Sequence, residues 1–278
     1  MSVWFITGAS RGFGRLLTAA ALAGGDSVIA AARNPQAVRD AFPHSGDSLL
    51  AVALDVGDPR QAVEAVASGI ERFDRIDVVV NNAGYGLFGA VEEISDAQAR
   101  ALFDTNVFGL LNVTRAVLPT LRSQGAGHIV NMGSSAGIGV GAGRGLYGAS
   151  KFAVEAITEA LRAELAPIGI HVTVVEPGSF RTDFLTADSK RTAAVEIPDY
   201  ADTVGTLLTA IETNAGRQPG DPAKAVAAIR TVVELTDPPL RLPLGSDCVR
   251  LIETKLESVA NELDQWREMA SSTDFPPG

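Results

Sequence analysis

Val3-Trp4-Phe5-Ile6-Thr7-Gly8-Ala9-Ser10-Arg11-Gly12-Phe13-Gly14 opens the chain with an apolar run that breaks into a glycine turn. Apolar residues without polar alternation read as a strand covered on both faces. The glycines allow a sharp turn, and residues 12–23 then have helical character. Strand, tight turn and helix in that order form the first half of a βαβ unit. Working outward, apolar runs at 28–32, 49–54, 78–80, 128–132 and 170–175 read as further buried strands. Helical stretches separate them at 35–41, 59–72, 95–122 (broken near Asn106) and 146–166. Regular alternation of this kind predicts an α/β fold with a doubly wound parallel sheet, Rossmann-like, with right-handed crossovers.

The last hundred residues read differently. Residues 180–217 show no clear strand and end in the turn-rich run Asn214-Ala215-Gly216-Arg217-Gln218-Pro219-Gly220. Asp221-Pro222 then has the signature of a helix start, with Asp as cap and Pro in the first turn, running to about Glu234. Residues 240–244 suit a short last strand, 247–269 a closing helix, and 271–278 a frayed tail. The expectation is a single domain over 1–278, with a helical C-terminal cover in which 180–220 form a substrate lid and 221–278 an extension.

Composition narrows the function. Apolar residues make up 46% of the 278, enough for a sizeable core. A net charge of −10 lacks the basic face that a nucleic-acid partner requires. The single Cys248 cannot form an internal disulfide and fits a reducing compartment. The first residues lead directly into a buried strand rather than a basic leader, and no apolar run approaches the roughly 18 residues of a membrane span. A cytoplasmic protein without membrane contact is expected. His44, His128 and His171 are scattered without metal-ligand spacing, so no metal site is expected.

The glycine turn has the context of a dinucleotide site. A helix N-terminus offers unpaired N–H groups and a positive dipole end to phosphate. Its spacing, Gly-x-x-x-Gly-x-Gly, differs from the usual Gly-x-Gly-x-x-Gly. The end of the second strand, Ala30-Ala31-Ala32-Arg33-Asn34, carries no acid for a ribose 2′-hydroxyl. Arg33 and Arg11 suit a 2′-phosphate instead, because a guanidinium binds phosphate bidentately. NADP(H) is therefore expected over NAD(H).

Tyr147 and Lys151, four residues apart with Ser134 thirteen residues upstream, supply a proton-transfer set. Side chains at i and i+4 share a helix face, and a neighbouring cation favours a phenolate. Only four of the 23 basic residues are lysines, so Lys151 is not background.

With these residues in place, the chain resembles the short-chain dehydrogenase/reductase family over about residues 3–183. The resemblance is carried by Thr7-Gly8 with Gly12 and Gly14, Asp55-Val56, Asn81-Asn82-Ala83-Gly84, Asp104-Thr105-Asn106-Val107, Ser134, Tyr147, Lys151, and Pro177-Gly178 with Thr182. Within the family, it looks most like 17β-hydroxysteroid- and retinol-type dehydrogenases and bacterial carbonyl reductases. The resemblance implies that Tyr147 is the general acid/base and that Lys151 lowers its pKa and bonds the nicotinamide ribose. It further implies that Ser134 polarises the substrate oxygen and Asn106 holds a water linking Lys151 to solvent. The turn residues Gly8, Ser10, Arg11, Gly12, Phe13 and Gly14 would hold the cofactor with Arg33. Asp55 and Val56 would meet adenine, Asn82, Ala83 and Gly84 would pack along the cofactor, and Pro177, Gly178 and Thr182 would hold the carboxamide. The implied reaction is NADP(H)-dependent interconversion of a ketone or aldehyde with its alcohol.

Three departures stand out. Phe13 replaces a smaller aliphatic residue, and Gly133 precedes Ser134 where a second serine is common. Arg144, three residues before Tyr147, takes a position more often apolar, and is expected at the substrate mouth, favouring an acidic or polar group. Phe180, Phe184, Leu185, Ile197 and Tyr200 suggest an apolar pocket. Apolar faces on 95–122 and 146–166 suit a subunit interface, hence a homo-oligomer, dimer or tetramer.

Two rivals differ in class. Gly133-Ser134-Ser135-Ala136-Gly137 satisfies the Gly-x-Ser-x-Gly hydrolase elbow with Ser135 as nucleophile, but only His171 follows and no Asp lies between. A non-catalytic NADP-binding redox sensor could use the same fold, yet has no need of Ser134, Tyr147, Lys151 and Asn106 together.

Overall fold

Six apolar runs and the short last strand assemble into one sheet, whose central strands are apolar on both sides and buried on both. The computed structural model of the protein describes residues 1–185 and 189–275. In chain order the elements are β1 (Val3–Thr7), α1 (Gly12–Ala23), β2 (Ser27–Ala32), α2 (Pro35–Ala41), β3 (Leu49–Ala53), α3 (Pro59–Phe73), β4 (Val78–Asn81) and β5 (Gly86–Phe88). There follow α4 (Asp96–Phe103), α5 (Gly109–Gln124), β6 (Gly127–Met132), α6 (Gly145–Leu165), β7 (Ile170–Pro177), β8 (Lys190–Thr192), α7 (Thr206–Thr213), α8 (Pro222–Val233), β9 (Arg241–Leu244) and α9 (Ser246–Ser271).

The main sheet is parallel throughout, in the order β3-β2-β1-β4-β6-β7-β9. Its order reverses between β1 and β4, which opens a crevice at the C-terminal ends of those strands. Alternate side chains feed two cores. Phe5, Ile29, Val79, Ile129 and Val172 face α3, α5 and α6, whereas Trp4, Ile6, Val28, Val80 and Val130 face α1 and α8. Phe5 is fully buried, and such a side chain contributes about 1.5–3 kcal/mol by leaving water. This is the doubly wound, single-domain α/β architecture expected from the sequence.

Local chemistry sets the helix starts. Asp58 accepts from Arg60 N at 2.9 Å ahead of Pro59, and Asp221 accepts from Ala223 N at 2.9 Å ahead of Pro222. Ser95 and Gln98 form a reciprocal capping box on α4. The break expected near Asn106 is a π-helical turn, Asp104–Phe108, between α4 and α5.

The region expected to lack strands contains β8, which pairs in parallel with β5. Each strand has three residues, too few to show a period, and the pairing spans about a hundred residues of chain. The same region also holds α7. Buried Glu93 ties this segment down, accepting from Ala90 N at 2.7 Å and Ile197 N at 2.8 Å. Residues 186–188 of the expected lid and 276–278 of the expected tail lie outside the described residues. Among the described residues no helix is long and apolar enough to cross a membrane.

Candidate active site

The β1–α1 turn is shaped by contacts that only glycine permits. Gly8 has φ +64°, and a Cβ there would lie 2.9 Å from Asn82 Nδ2. Gly12 has φ +52°, and a Cβ there would project into open cleft, with Thr182 Cβ the nearest atom at 4.0 Å. Thr7 locks the neighbouring loop in place. Its Oγ1 accepts from Asn82 N at 2.9 Å and Ala83 N at 3.0 Å, and Asn82 Nδ2 donates to Thr7 O at 2.9 Å. At the start of α1, Gly12 N donates to a carboxylate oxygen of Asp183 at 3.1 Å. An anion already accepts at this helix terminus, where the dipole favours one.

A cavity of about 430 Å³ runs along these strand ends. It is lined at one end by Arg33, Asp55 and Val56, in the middle by Gly8, Ser10, Arg11, Gly12, Phe13, Asn82, Ala83 and Gly84, and at the other end by Ser134, Arg144, Tyr147 and Lys151. Pro177, Gly178, Phe180, Thr182, Phe184 and Leu185 close one side. Most of the residues expected from the sequence are thus brought to one cleft. Gly14 lies off it, since a Cβ there would collide with the Gly8 carbonyl oxygen. Ile197 and Tyr200, expected in the apolar pocket, do not line the cavity either, and the Ile197 backbone is drawn away to Glu93.

Helix α6 places Tyr147 and Lys151 one turn apart, both buried. The Tyr147 ring packs between Phe88 at 6.2 Å and Phe184 at 5.8 Å, centroid to centroid. Burial pushes its pKa above the usual phenol value, while the Ser134 hydroxyl bonded to it and the Arg144 charge pull it back. Lys151 Nζ lies 6.0 Å from the Tyr147 ring centroid and donates to Met132 O at 2.6 Å. Burial lowers the Lys151 pKa to about 8, against the opposing charge of Glu155. The lysine is therefore fixed by the end of β6 and keeps donor capacity for the cavity.

Asn106 sits behind this set rather than on the cavity wall. Its Nδ2 donates to Tyr85 O at 3.0 Å and Ser150 Oγ at 3.2 Å, and its Oδ1 accepts from Tyr85 N at 3.1 Å. Ser150 Oγ in turn donates to Tyr147 O at 2.7 Å, so Asn106 connects the loop after β4 to the turn of α6 that carries Tyr147.

Arg144 is the cap residue just ahead of α6, half-buried, with its Nε enclosed and without a hydrogen-bond partner among the described residues. Phe13, the unusual residue of the turn, packs edge-on against Phe180 at 5.5 Å and joins the glycine turn to the segment after β7. Asp247, at the start of α9, accepts from Ser179 N at 2.7 Å and holds the same segment from the other side.

Sequence reasoning missed several contributors. The Met132 carbonyl leaves no signal in side-chain chemistry, and Phe88 belongs to a strand too short to read. Glu155 and Glu176, buried behind Lys151, were legible as acids on apolar elements. Arg241 Nε reaches them at 3.5 and 3.2 Å, and burial with mutual repulsion raises the pKa of Glu155, as burial does for Glu176.

Ser135 also lines the cavity, but His128 and His171 meet edge-on at 5.8 Å near the starts of β6 and β7, at the opposite ends of those strands from Met132 and Pro177. No histidine is placed to activate Ser135, and the hydrolase reading fails on geometry. Among the described residues no cluster of His, Cys, Asp and Glu could hold a metal ion.

The cleft fits a dinucleotide. Its turn leaves open space above Gly12, already accepts an anion at the α1 N-terminus, and lies at the strand-order reversal.

Comparison with known proteins agrees. Residues 2–193 match the family described as short chain dehydrogenase. The chain is 40% identical to the oxidoreductase BOA17 of Botryotinia fuckeliana over 270 residues, 96% of this chain and 97% of that protein. A short-chain dehydrogenase from Streptomyces avermitilis superposes with a TM-score of 0.92 at 42% identity, covering 99% of both chains. A serine dehydrogenase complexed with NADP+ superposes with a TM-score of 0.74 at 29% identity, covering 87% of this chain and 94% of that one. Sequence, sheet order and relatives converge, and the chain belongs to the short-chain dehydrogenase family as an oxidoreductase.

Proposed function

We propose that this oxidoreductase interconverts a ketone or aldehyde and the corresponding alcohol, with NADP(H) as cofactor and Tyr147 as general acid/base. The observation that carries this reading is the meeting of Tyr147, Ser134, Lys151 and Arg144 at one end of the cavity whose other end is lined by Arg33.

NADP(H) would be held by the glycine turn, by Arg11 and Arg33 at the 2′-phosphate, by Asp55 and Val56 at adenine, and by Asn82, Ala83 and Gly84 along its length. Pro177, Gly178 and Thr182 would face its carboxamide. When bound it supplies or accepts the hydride. The serine dehydrogenase similar to this chain was solved with NADP+, which supports the same choice, as does the absence of an acid at the end of β2.

Ser134 holds the substrate oxygen, and Tyr147 Oη donates its proton to that oxygen in reduction or takes it in oxidation. Lys151, anchored on Met132 O, keeps a positive charge near the phenol without moving. Phe184 and Phe88 exclude water from the ring. Asn106 holds the α6 turn in register through Ser150. Residues 180–220 act as the substrate lid and 221–278 as an extension, whose Asp247 holds Ser179 just ahead of the lid. The buried, unpaired Cys248 suits a reducing cytoplasm.

The test is NADPH oxidation against a panel of aryl, steroid, long-chain and keto-acid carbonyls. Turnover on at least one class, lost in Tyr147→Phe, is the expected result. Tight NADPH binding with no turnover across the panel would favour the redox sensor instead.

A further inference from the structure

The first turns of α9 pack on the body: Cys248 is fully buried and Leu251 closes over Gly139. From Glu253 to the end of the helix every residue is exposed. A helix standing in water ordinarily turns polar on all sides, yet this one does not. Val249, Ile252, Leu256, Val259, Leu263 and Trp266 recur at alternating spacings of three and four residues, which places them in one continuous seam. Val249 is 42% exposed, Leu256 64%, Val259 46%, Leu263 52% and Trp266 53%.

We propose that the outer part of α9 is an assembly helix whose apolar seam pairs with the same seam of a second copy of this chain. The alternating three-and-four spacing is that of a two-helix coiled coil, in which each seam residue enters a hole formed by a partner of equal period. Among the described residues the exposed large apolar side chains outside α9 are dispersed over separate elements and form no continuous seam of this period.

Charge favours a second copy over other occupants. The helix carries Asp247, Glu253, Glu257, Glu262, Asp264 and Glu268 against Arg250, Lys255 and Arg267. That acidic balance is the reverse of what binds an anionic lipid surface. The positions bordering the seam are of mixed sign, and in a parallel pair Glu262 lies across from Arg267 of the second copy. The surface is also large enough. Pairing two seams removes on the order of 1,000 Å² from water, the size at which an interface becomes specific. Unpaired, each seam would be an apolar patch of several hundred Å², larger than a monomer ordinarily leaves open.

The experiment is sedimentation and light scattering on the full chain at tens of micromolar, comparing the parent, the double variant Leu256→Glu/Leu263→Glu, and Asn261→Glu on the opposite face. The parent is expected to run as a multiple of 28.9 kDa. The double variant should lose one association step, its dissociation constant rising by at least a hundredfold, while Asn261→Glu keeps the parent mass. Near-ultraviolet circular dichroism checks that the folded body is unchanged by substitution of these exposed side chains. A parent that stays at one chain mass, a double variant that keeps the parent mass, or an equal loss in Asn261→Glu would overturn the proposal.

Discussion

Replacing Tyr147 by Phe removes one oxygen atom and separates the chemistry from the packing. The ring stays between Phe88 and Phe184, since both contacts are made by its faces and edges and not by the hydroxyl. What is lost structurally is at most one neutral hydrogen bond towards the Ser134 hydroxyl, about 1 kcal/mol, which would shift the melting temperature of a chain this size by no more than about 2–4 °C. Cofactor affinity should change by no more than about tenfold, the limit set by one neutral hydrogen bond in a cleft lined by many other residues. The chemical step loses its proton donor, which costs about 10²- to 10⁴-fold, or about 3–5 kcal/mol of barrier. The assay is single-turnover reduction with enzyme preloaded with NADPH and saturated with ketone, beside a fluorescence titration of NADPH. A variant that binds NADPH normally and reduces the ketone within about threefold of the parent would refute the acid/base assignment. A variant that instead loses NADPH binding would show that the phenol holds cofactor rather than moving a proton.

Three further outcomes are expected. Arg33→Asp should shift preference from NADPH towards NADH by about a hundredfold or more, because it exchanges a phosphate-binding guanidinium for an acceptor of the ribose hydroxyl; an unchanged kcat/KM ratio for the two cofactors would count against Arg33. Arg144→Leu should lower kcat/KM for carboxylate-bearing carbonyls by about tenfold to a hundredfold relative to neutral ones, the worth of one charged hydrogen bond, and equal effects on both classes would remove Arg144 from substrate recognition. For Glu155→Gln the sign follows from a raised folded-state pKa: stability is full at low pH and is lost as pH rises from the ordinary carboxylate range through the raised value. The variant's melting temperature should therefore fall less than the parent's between pH 5 and about 9, and parallel melting curves would show that the acid pair does not titrate as placed.

The parts of this fold that were legible in the sequence are those that depend on neighbours along the chain. The β1–α1 turn, the Asp221-Pro222 helix start and the Tyr147–Lys151 pair are all set by spacings within a single turn or helix. Arg33 was legible because a strand end fixes where its side chain emerges. The unread parts depend on distant pairings. β5 and β8 have meaning only against each other, and Lys151 is held by a carbonyl nineteen residues earlier in the chain. Ile197 and Tyr200 were apolar enough to suit a pocket, but Glu93 decides the path of that segment. Glu176 was the overlooked signal: an acid in Val174-Val175-Glu176-Pro177, at the end of an apolar strand, announces a buried charge that needs a partner, and Arg241 on β9 supplies it.

Burial also sets the resting protonation of the proposed proton-transfer set. It pushes the Tyr147 phenol up and the Lys151 ammonium down to about 8, so the environments of two adjacent groups move their proton affinities in opposite senses. Near neutral pH the phenol then holds its proton while Lys151 remains charged. A protonated phenol with two cations nearby is prepared to release its proton to an oxygen that is gaining electron density, because the cations stabilise the phenolate left behind. The reverse reaction must begin from that phenolate, which burial disfavours in the free protein. A lysine serves this arrangement better than an arginine would: its compact head donates to Met132 O and still points donors elsewhere, whereas a planar fork commits its donors to one plane. Under the proposed mechanism, the free site therefore already holds the proton that carbonyl reduction would consume.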